Sequence, residues 1–141
     1  MEFGDMIKIN RGTYNHWALY IGNGDVIHVV TTDGSSAFWS AFASSSPSLS
    51  SKGMIIIDKF MNVAAGNPYK IYNYLDNKIR PRSTDVITVE VHKMRGYTIP
   101  YDLIGNNCKH FVTFLRYGKS GSKQADDFMK KLLACAAGLL C

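Results

Sequence analysis

Gly105-Asn106-Asn107-Cys108-Lys109-His110-Phe111-Val112 is the stretch on which the reading of this chain turns. Gly105-Asn106-Asn107 is turn and N-cap chemistry, and Phe111, Val112 and Leu115 follow Cys108 at the spacing of a single helix face. The segment is therefore expected to be a helix that begins at the cysteine and ends at Gly118. A thiol in a first helical turn sits near the positive end of the macrodipole and beside unpaired N–H groups, which favours the thiolate. The plain alternative is a small buried hydrophobe on the inner face of the helix. A nucleophile also needs a base, and His110 is badly placed to be one. Residues two apart on a helix point about 200° from each other, so His110 is expected to cap or pack on the far side.

The other histidines lie upstream. His16-Trp17-Ala18-Leu19-Tyr20-Ile21 and Val26-Ile27-His28-Val29-Val30-Thr31 read as two strands joined through Gly22-Asn23-Gly24-Asp25. Register decides whether their imidazoles meet. A two-residue Asn23-Gly24 turn would set His28 against Leu19 and put the histidines on opposite faces of the sheet. A three-residue Gly22-Asn23-Gly24 loop, with Gly24 in the left-handed region, sets His28 against Ala18 and His16 against Val30. Both rings then share a face as diagonal neighbours, with α-carbons about 7–8 Å apart. The bulged register is the one expected, since the small Ala18 leaves room beside His28. Trp17, of opposite parity, is expected in the core.

Around these two stretches the chain reads as one domain of 141 residues, 46% of them apolar. Met6–Asn10 is a short strand, Met54–Phe60 a buried one, Val63–Pro68 a turn and Lys70–Leu75 a further strand, which makes a sheet of about five strands. Ser83 caps a helix over Thr84–Arg95, stopped by Gly96. Residues 34–53 are serine-rich with interspersed aromatics and read as a flexible loop or lid. Residues 119–124 read as a linker. Residues 125–141 form an apolar helix, either docked on the core or lying at a membrane interface with Cys135 and Cys141 as acylation sites. Its apolar run is too short to span a bilayer, which takes about 20 residues.

Sixteen Lys and Arg against 11 Asp and Glu leave a net charge of +5, suited to an anionic surface. The N-terminus has no secretory signal pattern, so a cytoplasmic address is expected, with peripheral membrane association through 125–141. In such a compartment the three cysteines are expected as thiols. Neither CxxC nor HExxH occurs, so no metal or cofactor is expected, and no specific nucleic acid partner.

Gly4-Asp5-Met6-Ile7, Tyr14-Asn15-His16-Trp17-Ala18-Leu19-Tyr20-Ile21-Gly22, Val26-Ile27-His28, Asn107-Cys108-Lys109-His110-Phe111-Val112 and Leu115-Arg116-Tyr117-Gly118 together resemble the lecithin-retinol acyltransferase family, in particular its H-rev-like phospholipid acyltransferases. The resemblance covers nearly all of residues 4–118. It implies a catalytic domain over 1–118 with an α+β, circularly permuted papain-like (NlpC-like) fold: an antiparallel sheet packed against the helix that carries the cysteine. It further implies Cys108 as nucleophile, His16 as general base and His28 as the residue that orients His16. The Cys108 backbone N–H would belong to the oxyanion site.

The implied activity is a thiol-dependent phospholipase A or acyltransferase acting on phospholipid at a membrane surface, as a monomer. A glycerophospholipid ester would pass its acyl group to the cysteine and then to water or an amine. Viral relatives that share these motifs and recruit host proteins without catalysis give the second reading, and a thiol peptidase or amidase of the same fold a third. One departure stands beside the nucleophile, where Lys109 replaces the acid usual in the family.

Overall fold

The computed structural model describes residues 1–31, 52–100 and 107–138. Their elements run β1 Met6–Asn10, β2 Asn15–Tyr20, β3 Asp25–Thr31, β4 Lys52–Lys59, α1 Phe60–Ala64, β5 Tyr69–Ile71, α2 Thr84–Met94, β6 Thr98–Pro100, α3 Asn107–Tyr117 and α4 Lys123–Ala136. The strands form one antiparallel sheet in the order β5-β1-β2-β3-β4-β6. This is the expected α+β arrangement, an antiparallel sheet against the cysteine helix.

Period-2 alternation sorts side chains to the two faces. Met6, Trp17, Leu19, Ile27, Val29 and Ile55 point to one face, where they share the main core with Phe111, Val112 and Leu115 of α3 and with residues of α2 and α4. Ile7, Ile9, Ala18 and Val26 point to the other, covered by Phe60, Val63 and Ala64 of α1. Phe111, Val112 and Leu115 are fully buried, and each contributes about 1.5–3 kcal/mol of burial free energy. That inward stripe is why a segment opening on polar turn residues continues as a helix.

The β2–β3 hairpin has the bulged register. Leu19 pairs with Ile27 and Tyr20 with Val26, Asp25 N–H donates to the Gly22 carbonyl, and Asn23 and Gly24 have φ of 56° and 79°. In this register His28 has the parity of Ala18 and His16, so both imidazoles belong to one face. Trp17, on the other, is buried in the main core as expected.

Several boundaries differ from the sequence expectations. The region assigned to the Val63–Pro68 turn begins with the helix α1, because Phe60, Val63 and Ala64 recur at helical spacing and bury together on the sheet. Strand β5 covers Tyr69–Ile71 rather than Lys70–Leu75; beyond it Asn73 turns its side chain inward, accepting from Met6 N–H at 2.8 Å and donating to Asp5 at 3.0 Å. Thr98–Pro100 adds a sixth strand against β4. Lys52 and Gly53, expected in the loop, belong to β4, and the rest of the 34–51 loop lies outside the described residues.

Helix α2 starts where expected: Ser83 Oγ accepts from Val86 N–H at 3.2 Å. Helix α4 begins at Lys123, inside the expected linker, because Ser122 caps it by accepting from Ala125 N–H. Its Ala125, Met129 and Leu132 are buried in the main core. Cys135, expected as a thiol open to acylation, is disulfide-bonded, so its sulfur is taken; Cys141 lies outside the described residues. Among the described residues no helix is long and apolar enough to cross a membrane.

Candidate active site

His16 and His28 are both buried, and His16 Nε2 lies 2.8 Å from His28 Nδ1, the rings meeting edge to face. This direct hydrogen bond uses one nitrogen of each ring and leaves His16 Nδ1 and His28 Nε2. The latter is buried without a hydrogen-bond partner.

Cys108 occupies the first turn of α3, half-buried and free. Gly105 and Asn106 of its expected cap lie outside the described residues. What brings the sulfur to β2 is a gap in the sheet. The β3–β4 ladder runs through seven pairs, but β2–β3 stops after two. Tyr20 N–H donates to β1's side and Ile21 N–H to β3's side, so alternation turns Trp17 N–H toward β3, beyond the last paired residue. There it is directed at the Cys108 sulfur, together with the backbone N–H groups of Lys109 and of Cys108 itself. The main chain of the residue next to His16 thus acts on the thiol electrostatically.

The electrostatics overturn one expectation. The helix start was expected to favour the thiolate, yet burial pushes the Cys108 thiol above its ordinary range, and the three N–H groups only partly oppose it. Burial likewise holds His16 well below the usual histidine range, with His28 and Arg11 lowering it further. His28 is lowered by burial to about 4, Asp58 pulling upward and Arg11 downward. At neutral pH the three groups are therefore a neutral thiol and two neutral imidazoles.

Lys109 does not direct its charge at the sulfur. Its Nζ sits 4.6 Å from the Tyr74 ring centroid and 5.6 Å from that of Trp17. His110 is on the far side, its Nδ1 3.3 Å from the Ser120 carbonyl to which it donates. Two groups were not anticipated. One is the Trp17 N–H, whose availability depends on where a ladder ends. The other is the Arg11 guanidinium, whose Nε and Nη2 are buried without a hydrogen-bond partner and whose charge is felt at Tyr14, His16 and His28. An arginine five residues before the first histidine was the only available signal for it.

Comparison with known proteins agrees with this architecture. The family model for lecithin retinol acyltransferase matches residues 1–121. Human phospholipase A and acyltransferase 4 is 38% identical over 143 residues, covering 97% of this chain and 83% of that protein. Rat phospholipase A and acyltransferase 1 is 35% identical, covering 96% and 80%, and human phospholipase A and acyltransferase 2 is 35% identical, covering 99% and 84%. With a matched family model over most of its length and relatives this similar across nearly all of it, the chain belongs to the lecithin retinol acyltransferase family.

Proposed function

We propose that this protein is a cysteine-dependent phospholipase A and acyltransferase that cleaves acyl esters of glycerophospholipids through a thioester on Cys108. The observation that carries the reading is the His16–His28 hydrogen bond, set in the strand next to the main-chain N–H that acts on the Cys108 sulfur. The names of the similar proteins support the substrate and reaction class.

Because thiol and imidazole are both neutral at rest, the proton moves as the sulfur attacks. His16 donates through Nε2–H to His28 Nδ1, which leaves Nδ1 as the basic nitrogen. As the Cys108 sulfur attacks the ester carbonyl, its proton passes to that nitrogen. The imidazolium so formed is held in orientation by His28. Charge on the carbonyl oxygen is met by the N–H groups at the helix start, that of Cys108 among them. Collapse of the tetrahedral intermediate breaks the carbon–oxygen ester bond, and His16 returns the proton to the departing glycerol oxygen. The product pair is a lysophospholipid and the acyl thioester. Water or an amine then attacks the thioester, giving its proton to His16, and the thiol is restored as fatty acid or amide leaves. The unpartnered donors of Arg11 suit the phosphodiester of the substrate, where a charge-assisted hydrogen bond is worth most.

The test is intact mass after incubation with phosphatidylcholine micelles, with Cys108→Ala alongside. One acyl mass gained by the parent and absent from the variant, accompanied by free fatty acid, is the expected result. Fatty acid release that persists in Cys108→Ala overturns the assignment of the nucleophile. Absence of both adduct and fatty acid in folded protein overturns the activity.

A further inference from the structure

Beside the proposed nucleophile lies a surface that the acyl-transfer chemistry does not use. Trp17, Tyr72 and Tyr74 form a continuous aromatic group: Tyr72 stacks on Trp17 with centroids 6.0 Å apart, and Tyr74 lies 5.8 Å from Tyr72 and 6.5 Å from Trp17. Three ammonium groups sit on these rings. Lys8 Nζ is 5.1 Å from the Tyr72 centroid and 5.9 Å from that of Trp17, Lys70 Nζ is 4.7 Å from Tyr72, and Lys109 covers Trp17 and Tyr74.

The arrangement concentrates like charge. Lys8 and Lys70 share the Tyr72 ring, and Lys8 and Lys109 share Trp17, so neighbouring cations stand within roughly one Debye length, ~10 Å at 0.1 M salt. Among the described residues the ion pairs involve Lys59, Arg82, Arg116 and Lys123, and none of these three lysines. Cation–π attraction offsets part of the repulsion, worth about 0.5–1 kcal/mol at an exposed ring, but the excess positive charge remains. Lysine on an edge strand also blocks sheet extension, which accounts for Lys70 on β5. It does not account for Lys8 on β1 or Lys109 on α3, both inside the fold's edge.

Two further observations fix the kind of partner. Tyr72, on the same face of β5 as Lys70, is 40% exposed, so aromatic surface accompanies the cations. At the far end Lys8 and Lys70 help line an open recess of about 290 Å³ with Asn10, Asn15, Pro68 and Tyr69. Cations interleaved with half-exposed tyrosines match the interface of an anionic bilayer, where amphipathic rings sit at headgroup level and each nearby lysine adds electrostatic attraction.

We infer that the Lys8–Lys70–Lys109 strip on Trp17, Tyr72 and Tyr74 is a docking surface for anionic phospholipid bilayers, with a headgroup seated between Lys8 and Lys70. It deepens the acyl-transfer reading: Lys109 adjoins Cys108 in sequence and Trp17 N–H acts on the sulfur, so docking here brings an acyl ester to the thiol.

The experiment is co-sedimentation of the full chain, in the Cys108→Ala background so that no lipid is consumed. Vesicles of phosphatidylcholine alone are compared with vesicles carrying about one-third phosphatidylserine. Binding to the anionic vesicles at least tenfold tighter, abolished by about 0.5 M salt, is expected. Lys8→Gln with Lys70→Gln should weaken it at least fivefold, while Lys130→Gln with Lys131→Gln, equal in charge removed, should leave it unchanged. Fatty acid release from a monomeric short-chain phosphatidylcholine by the parent protein, which needs no docking at a bilayer, is measured alongside. That last assay reads the acyl-transfer proposal separately, so failure of one is distinguishable from failure of the other. Equal binding to both vesicle types, equal loss in both double variants, or tighter binding to an oligoribonucleotide than to anionic vesicles would each overturn the inference. Near-ultraviolet circular dichroism from Trp17 verifies that the variants keep the parent fold.

Discussion

Arg116, at the end of the cysteine helix, grips Asp76 with two parallel hydrogen bonds, Nε to Oδ1 at 3.1 Å and Nη2 to Oδ2 at 3.0 Å, while its Nη1 donates to the Gly4 carbonyl at 2.7 Å. Tyr117 Oη donates to the same Asp76 at 2.6 Å. One buried guanidinium thus joins α3, the segment before β1 and the turn after β5, which fixes the helix whose other end carries Cys108. Arg116→Lys keeps the charge but loses the fork, and should destabilise the fold by about 2–3 kcal/mol. Urea denaturation checks this. Activity per folded molecule should survive, because the change is remote from the thiol.

Catalytic substitutions should separate by role. Cys108→Ala should lower turnover by at least about a thousandfold and His16→Ala by about a hundred- to ten-thousandfold. His28→Gln, which keeps a hydrogen-bonding group beside His16, should cost about ten- to a hundredfold in kcat with little change in KM. Steady-state kinetics on a monomeric substrate decides, and equal residual activity in all three would contradict the assigned roles.

The free thiol should be sluggish. Burial holds Cys108 as a thiol and His16 as a neutral imidazole, so there is no resting ion pair to exploit. The rate of alkylation at Cys108 by iodoacetamide should climb about tenfold for each pH unit above neutrality, following the thiolate fraction. Peptide mapping gives that rate. A fast, pH-independent reaction near neutrality would mean that a thiolate–imidazolium pair already exists.

Acid should weaken the fold through the same histidines. His28 has its pKa lowered from 6.5 to about 4 in the folded protein, so between those values the unfolded chain binds more protons. Stability from this group is fully present above about pH 6.5 and is lost as pH falls toward 4. The loss amounts to roughly 3 kcal/mol, with His16 adding in the same direction. Denaturant midpoints measured across this range should fall in the parent and fall less in His28→Gln.

Helix α3 closes at Gly118, whose φ is 83° and where an added Cβ would meet Arg82 Cδ at 3.1 Å. Arg82 is held there by donating to the carbonyls of Phe114 and Leu115 and by pairing with Glu90. Gly118→Ala should therefore cost about 1–2 kcal/mol. Thermal unfolding measures it, and a neutral result would mean that Arg82 moves aside freely.

Local chemistry, which a sequence displays directly, determined much of this protein. The β2–β3 register followed from Gly22-Asn23-Gly24 because a loop with left-handed residues sets the pairing of the strands it joins. The inner face of α3 followed from the spacing of Phe111, Val112 and Leu115, and the start of α2 from Ser83. His16 and His28 were legible as neighbours for the same reason. Long-range geometry decided the rest. The early end of the β2–β3 ladder, which leaves Trp17 N–H unpaired by β3, is a property of the assembled sheet. The protonation states of Cys108, His16 and His28 depend on burial, a property of the assembled fold that outweighs the helix start. The strip of Lys8, Lys70 and Lys109 exists only because β1, β5 and α3, far apart along the chain, meet at one edge around three aromatic rings.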